Sequence, residues 1–262
     1  MDLKKKIVIS ILIGGMTIMT LLGGCGESST NEKAKKTEQS FEKVLAMYPT
    51  KNLEAFYDME GYRDDEFEKG DKGVWVLNSE MSTSTSKKDP LHTEGMLLRI
   101  NRNTHTAKGY YYLDTTNEEK LDENNEKKYP VTYDKNGFHL VKAVSDPKLR
   151  EKIEGFQFFV QYGEFKQLNQ YKNIDKMYNP EVPMYELEYQ LTNDDPNVKQ
   201  LRKRYEIPTD KEPTLLLKGR GNLDGSSGSV GYKNIEFTFD KKIDNFFLDS
   251  IDYQPANMED DQ

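Results

Sequence analysis

The chain has 262 residues, with 37 Lys and Arg against 45 Asp and Glu, for a formal net charge of −8. That balance excludes the clustered cationic surface on which nucleic-acid affinity depends, so no nucleic-acid partner is expected. With 35% hydrophobic residues the chain is lean, but 16 Tyr and 12 Phe supply large buried areas, which argues for a folded domain rather than disorder.

Lys4, Lys5 and Lys6 lead into an apolar run from Ile7 to Leu22, which ends in Leu22-Gly23-Gly24 before Cys25, the only cysteine. A charged n-region, an apolar h-region and small residues in that order form a secretory signal over residues 1–24. A cysteine directly after the small residues resembles a bacterial lipobox. The resemblance implies diacylglycerol on the Cys25 thiol, cleavage before Cys25 by lipoprotein-processing enzymes, and acylation of the freed amine, palmitate being the expected acyl group. Two alternatives stand beside it. The run is short of the roughly 20 apolar residues that a transmembrane helix needs. A plain secretory signal would leave Cys25 an unpaired thiol, which is unusual in a secreted chain. Once Cys25 is lipidated, no thiol remains for disulfides, thiol catalysis or a Cys-type zinc site.

Residues 25–36 carry the cysteine and a polar stretch, Glu27 to Lys36, without periodicity. As a flexible tether it would span roughly 15–20 Å. Its Lys33, Lys35 and Lys36 either lie against anionic headgroups or are simply solvated. A folded domain is expected over 37–255. Phe41, Val44, Leu45 and Tyr48 mark one helical face, stopped by Pro49, and Leu53, Phe56 and Tyr57 a second short helix. The acidic stretch Tyr62 to Lys72 reads as a loop. Strands are expected at Gly73 to Leu77, Met96 to Ile100, Ala107 to Leu113, Tyr129 to Tyr133 and Phe138 to Val144, with Ser82 to Asp89 an exposed loop. Asn101 to Thr104 and Asp134 to Gly137 form hairpin turns, the second around an Asn-Gly pair.

Ser145-Asp146-Pro147 opens a helix to about Glu154. Phe159, Tyr162, Phe165, Leu168 and Tyr171 recur every three residues and predict another helix. Tyr185 to Leu191 alternates as a strand, and Asp195-Pro196 opens a helix from Asn197 to Tyr205. Its Arg202-Lys203-Arg204 reads as a solvated face. Thr214 to Lys218, Val230 to Asp240 and Phe246 to Tyr253 predict a meander with a glycine-rich turn at Gly219 to Gly231, and residues 256–262 a frayed acidic tail. Strands in neighbouring pairs with helices in blocks predict an α+β fold with a mainly antiparallel twisted sheet.

Several motifs approach known chemistry and fail. Gly219-Arg-Gly221-Asn-Leu-Asp224 starts like a dinucleotide fingerprint, but Asp224 takes the sixth position and no helix follows. Gly225-Ser-Ser227-Gly-Ser229 lacks the second glycine and the strand-to-helix turn of a nucleophile elbow. Counting from Asp64, a calcium loop needs glycine and glutamate where Lys69 and Trp75 stand, so loose calcium binding by clustered carboxylates is weighed against a solvated acidic loop. His92, His105 and His139 have no metal-ligand spacing. No metal, cofactor or catalytic residue is assigned, although paired carboxylates leave an acid–base hydrolase open. Tyr110-Tyr111-Tyr112 either offers rings to a carbohydrate or packs a core on one face.

Four stretches, Ser40 to Asp58, Glu60 to Trp75, Asn101 to Tyr112 and Val198 to Ile207, resemble the staphylococcal tandem-type lipoproteins, also called the conserved staphylococcal antigen family. The similarity extends over nearly the full chain. It implies surface lipoproteins on the extracellular face of the cell membrane, read by host Toll-like receptors through the lipid and linked to host-cell entry. It carries over only Cys25 as a functional residue. Glycine at both small lipobox positions, Gly23 and Gly24, departs from the more usual alanine or serine. The expected function is a non-enzymatic, membrane-anchored surface protein that contacts host receptors or host-cell surface proteins. A solute-binding or chaperone-like envelope module is the alternative.

Overall fold

A computed structural model describes residues 27–117, 124–179, 181, 183–221 and 231–257. The signal segment, the lipobox with Cys25, the near-miss nucleophile elbow and Met258 to Gln262 lie outside the described residues. Among the described residues ten strands run β1 Val74–Thr83, β2 Leu91–Asn101, β3 Thr106–Thr116, β4 Asn125–Asp134, β5 Gly137–Leu140, β6 Lys172–Asn179, β7 Met184–Gln190, β8 Thr214–Gly221, β9 Gly231–Asp240 and β10 Asn245–Gln254. The helices are α1 Glu27–Leu45, α2 Pro147–Glu154, α3 Phe159–Tyr162 and α4 Pro196–Arg204, with short 3-10 turns at Leu53–Tyr57 and Leu168–Gln170.

The strands form one antiparallel sheet in the order β5-β4-β3-β2-β1-β10-β9-β8-β7-β6. Each half is a meander, and the halves join where the first strand pairs with the last, from Val74 opposite Gln254 to Ser82 opposite Phe246. The fold is α+β. Side chains alternate across a strand, so Trp75, Leu77, Ser79 and Met81 share a face with their partners Tyr253, Ile251, Asp249 and Phe247. All eight are buried.

The helices cover that same face. Phe56 meets Trp75 edge-on, Phe156 meets Tyr111, and Tyr205 at the end of α4 packs on Phe247. Phe159 of α3 is the hub, with ring centroids 5.3 Å from both Phe237 and Phe247 and 5.6 Å from Tyr48. The face turned away from the helices is mixed. There Tyr112 crosses the bare backbone of Gly95, its neighbour on β2, and donates to Glu80 on β1. A Cβ on Gly95 would lie 2.8 Å from that hydroxyl and 2.7 Å from the Ser79 carbonyl.

Local signals read from sequence largely hold. Asp146 caps α2 by accepting from the Lys148 and Leu149 amides, as a short acid before proline should. Gly137 closes the β4–β5 hairpin with φ of 110°, a conformation that favours glycine. Several expectations need correction, among them the strand expected over Phe138 to Val144, which ends at Leu140. Glu27 to Lys36 is helix, the first half of α1, not coil. Its Glu and Lys residues are good helix formers, and Glu32 pairs with Lys36 one turn on. The aromatic series from Phe159 to Tyr171 is not one helix: α3 ends after one turn, and the chain leaves Gly163 extended. Finally, Ser82 and Thr83 belong to β1, and Ser84 is buried with its amide on Asn245 Oδ1.

Candidate functional site

Cys25, Leu22, Gly23 and Gly24 precede the described residues, so the geometry bears on what the domain behind them offers. Among the described residues a cleft lies where the ends of β1, β2 and β3 meet α2 and the end of α4. A cavity of about 550 Å³ opens there, lined by His92, Glu94, Leu113, Lys127, Lys152 and Arg204 among others. A second of about 460 Å³ continues past His92 and Glu206 toward Ser84. A third of about 570 Å³ adjoins Lys127 on the other side.

The polar groups of this groove are mostly bound to one another. Lys152 pairs with Glu94, which also accepts from the Tyr111 hydroxyl. Burial, reinforced by Glu94, raises the Tyr111 hydroxyl far above an ordinary phenol, so it stays a donor. His92 Nδ1 stands 3.1 Å from Thr115 Oγ1. Arg204 lies over the Tyr162 ring at 3.8 Å and donates to Gln157 and Gln200. Such a groove offers paired charges and hydroxyls to an elongated polar ligand.

The strongly perturbed acids, Asp249 and Asp252, lie elsewhere. Asp249 projects from β10 into the core, 1% exposed, where Tyr48 and Ser79 donate to its two oxygens. Ser79 Oγ in turn accepts the Phe159 amide at 3.0 Å. Burial without a cation drives the Asp249 carboxyl up to about 7, against the lowering effect of its Ser79 and Tyr48 hydrogen bonds. This knot ties the segment after α1 to β1, β10 and α3. The sequence holds its signal, because Asp249 occupies an inward position between Phe247 and Ile251 in an otherwise apolar alternation.

The other residues singled out from sequence resolve into structural roles. Asp71 of the acidic loop accepts from Asn103, the Ala256 amide and the Gly73 amide. Those bonds outweigh its burial and lower its pKa. Among the described residues no group of three or more His, Cys, Asp or Glu stands close enough to hold a metal ion. His105 stacks on Tyr57 at 3.8 Å, and His139 Nε2 lies 3.0 Å from Asp134, so the histidines remain apart. Arg202 and Arg204, expected as a solvated face, are engaged. Arg202 donates to the Thr209 and Lys211 carbonyls and to Asn193, and lies over Phe239. Of the tyrosine run, Tyr111 packs in the core while Tyr110 and Tyr112 are on the other face.

The chain matches the Csa1 family over residues 33–256. It is 53% identical over 256 residues to proteins named "uncharacterized lipoprotein" from Staphylococcus aureus strains USA300, COL and MW2, spanning 96% of this chain and 97% of each relative. The match begins inside α1 and ends just after β10, taking in the whole sheet and both the groove and the buried acid. The chain is therefore a member of the Csa1 family, as the four resembling stretches led one to expect.

Proposed function

We propose that this chain is a lipid-anchored surface lipoprotein, held in the cell membrane through diacylglycerol on Cys25 and an acyl group on its amine, with the folded domain on the extracellular side. The observation that carries this reading is the order of Lys4 to Lys6, the apolar run, Leu22-Gly23-Gly24 and Cys25 directly ahead of α1. The name lipoprotein on relatives of nearly equal length supports it.

The domain is read as a non-enzymatic contact surface for host receptors or host-cell proteins, with the lipid itself an immune stimulus. The two acids strongly driven toward neutrality, Asp249 and Asp252, line none of the three clefts described above. Replacing Cys25 with alanine should abolish labelling by radioactive palmitate and move the protein from membrane to medium or leave unlipidated precursor. Retention in the membrane at unchanged mass would overturn the anchor. A second reading, a solute-binding envelope module, is favoured by the groove beside Lys152 and Glu94. It requires a ligand-dependent rise in melting temperature across a metabolite panel.

A further inference from the structure

We infer that the sheet edge formed by β6 is the side of the domain that docks on the bilayer, with Ile174 and Met177 entering the interfacial layer and Lys172 and Lys176 facing anionic headgroups. The inference rests on Cys25 being lipidated, and it follows from the path of α1. Just beyond α1, Tyr48 reaches Asp249 at the central β1–β10 seam. Ten residues earlier, Glu38 accepts from Tyr189 of β7 at 3.0 Å. From Glu38 to the end of α1 at Leu45 the helix rises about 10 Å, and the three residues on to Tyr48 complete a path comparable to the three strand spacings from β10 to β7, about 14 Å. Toward its N-terminus α1 therefore runs outward across one half of the sheet, over β9, β8 and β7.

The helix continues to Glu27, a further ~16 Å, while β6 lies only about 5 Å beyond β7. Its first turns thus project roughly 10 Å past the β6 edge, and Cys25 is two residues further. A lipid on Cys25 places the bilayer on that side, at a distance comparable to the ~8–10 Å over which charges act in physiological salt.

The β6 edge has the composition for such a neighbour. Of the four large hydrophobic side chains exposed among the described residues, two stand on this strand, Ile174 at 44% and Met177 at 39%. Lys172 and Lys176 are exposed on the same strand, and Lys35 and Lys36 on the adjoining helix. Apolar side chains flanked by lysines on a lipid-tethered body suit an anionic interface. The edge is poorly suited to accepting a protein strand. Its register slips between Asn173 and Asp175, the Lys176 amide is taken by Asp175 Oδ1 at 2.8 Å, and the Asp175 carbonyl accepts from Asn173 Nδ2. Bulges and edge lysines are devices that deter strand pairing.

The test uses the full acylated lipoprotein in vesicles of equal phosphatidylglycerol and phosphatidylcholine. An environment-sensitive fluorophore is attached at Met177→Cys, or at Val141→Cys beside the opposite edge strand β5 as control. The label at 177 should shift to the blue and lose access to a water-soluble quencher, and the label at 141 should do neither. Lys172→Gln should weaken the contact about fivefold, the change that ~1 kcal/mol per lysine at an anionic surface corresponds to. Equal behaviour of the two labels on a protein whose mass confirms acylation would overturn the docking edge and leave the anchor standing. Protection of the 177 label without vesicles, by a second copy or another protein, would overturn it too. A Cys25 without acyl mass would remove the anchor and this inference with it.

Discussion

The ring of Tyr253 occupies the space that a side chain at Gly61 would need. A Cβ at Gly61 would lie 2.3 Å from Cγ of that ring and 2.5 Å from its Cβ. The ring cannot yield. Phe67 stacks on one side at 5.3 Å, Trp75 packs at 4.7 Å, and the hydroxyl donates to the Lys72 carbonyl while accepting from Arg102. Gly61→Ala should therefore destabilise the domain by about 1–3 kcal/mol, the range typical of an overpacked core. Urea denaturation monitored through Trp75, the only tryptophan, measures it directly.

Asp249 makes stability depend on pH in an unusual direction. Its pKa rises from 3.8 in the unfolded chain to about 7 in the fold, so between those values the folded state binds more protons. The slope of unfolding free energy with pH is then negative. Its contribution is fully present below about pH 4 and is lost as pH rises through 7, on the order of a few kcal/mol in all. Asp252, driven to about 7 by burial against the pull of Lys233, acts in the same sense. Melting temperature should fall between pH 5 and 8, and Asp249→Asn should flatten that fall.

Phe159 should be among the costliest side chains to truncate. Its ring touches Tyr48, Tyr162, Phe165, Phe237 and Phe247. Phe159→Ala should cost about 3–5 kcal/mol, read as a lowered denaturant midpoint with little change in slope.

Arg202 tests whether the basic run of α4 is solvated or structural. Its guanidinium spreads over two carbonyls and the Asn193 side chain, a planar fork that lysine cannot reproduce. Arg202→Lys should cost about 1–3 kcal/mol, while Lys203→Ala, at an exposed position, should change stability by less than about 0.5 kcal/mol.

Elements marked by local chemistry were legible in the sequence: the Asp146 cap, the Asn136-Gly137 hairpin, and the alternating strands Tyr185 to Leu191 and Phe246 to Tyr253. Elements defined by distant partners were not. β6 reads as Lys-Asn-Ile-Asp-Lys-Met-Tyr-Asn, a polar strand at the sheet edge with most of its residues exposed, so it lacks the alternation of a half-buried strand. The aromatic period from Phe159 to Tyr171 imitates a helix. In fact these rings converge from a short turn and an extended segment, and a Cβ at Gly163 would lie 2.9 Å from the Phe159 ring. The proposed anchor is read locally, from Leu22 to Cys25. The groove is not, because Glu94, Lys152 and Arg204 come from three separate elements.

The pairing of the first strand with the last has a consequence for the order in which the chain can acquire structure. Val74 must find Gln254, and Trp75 must find Tyr253, so neither half-sheet gains its inner neighbour until nearly the whole polypeptide is available. Contacts so remote in sequence form late and slowly. For a chain delivered across a membrane amino end first, closure waits until the final strand emerges. The machinery of delivery would then handle a pliable thread, and a nascent chain cut short before residue 245 would remain open for proteases to clear.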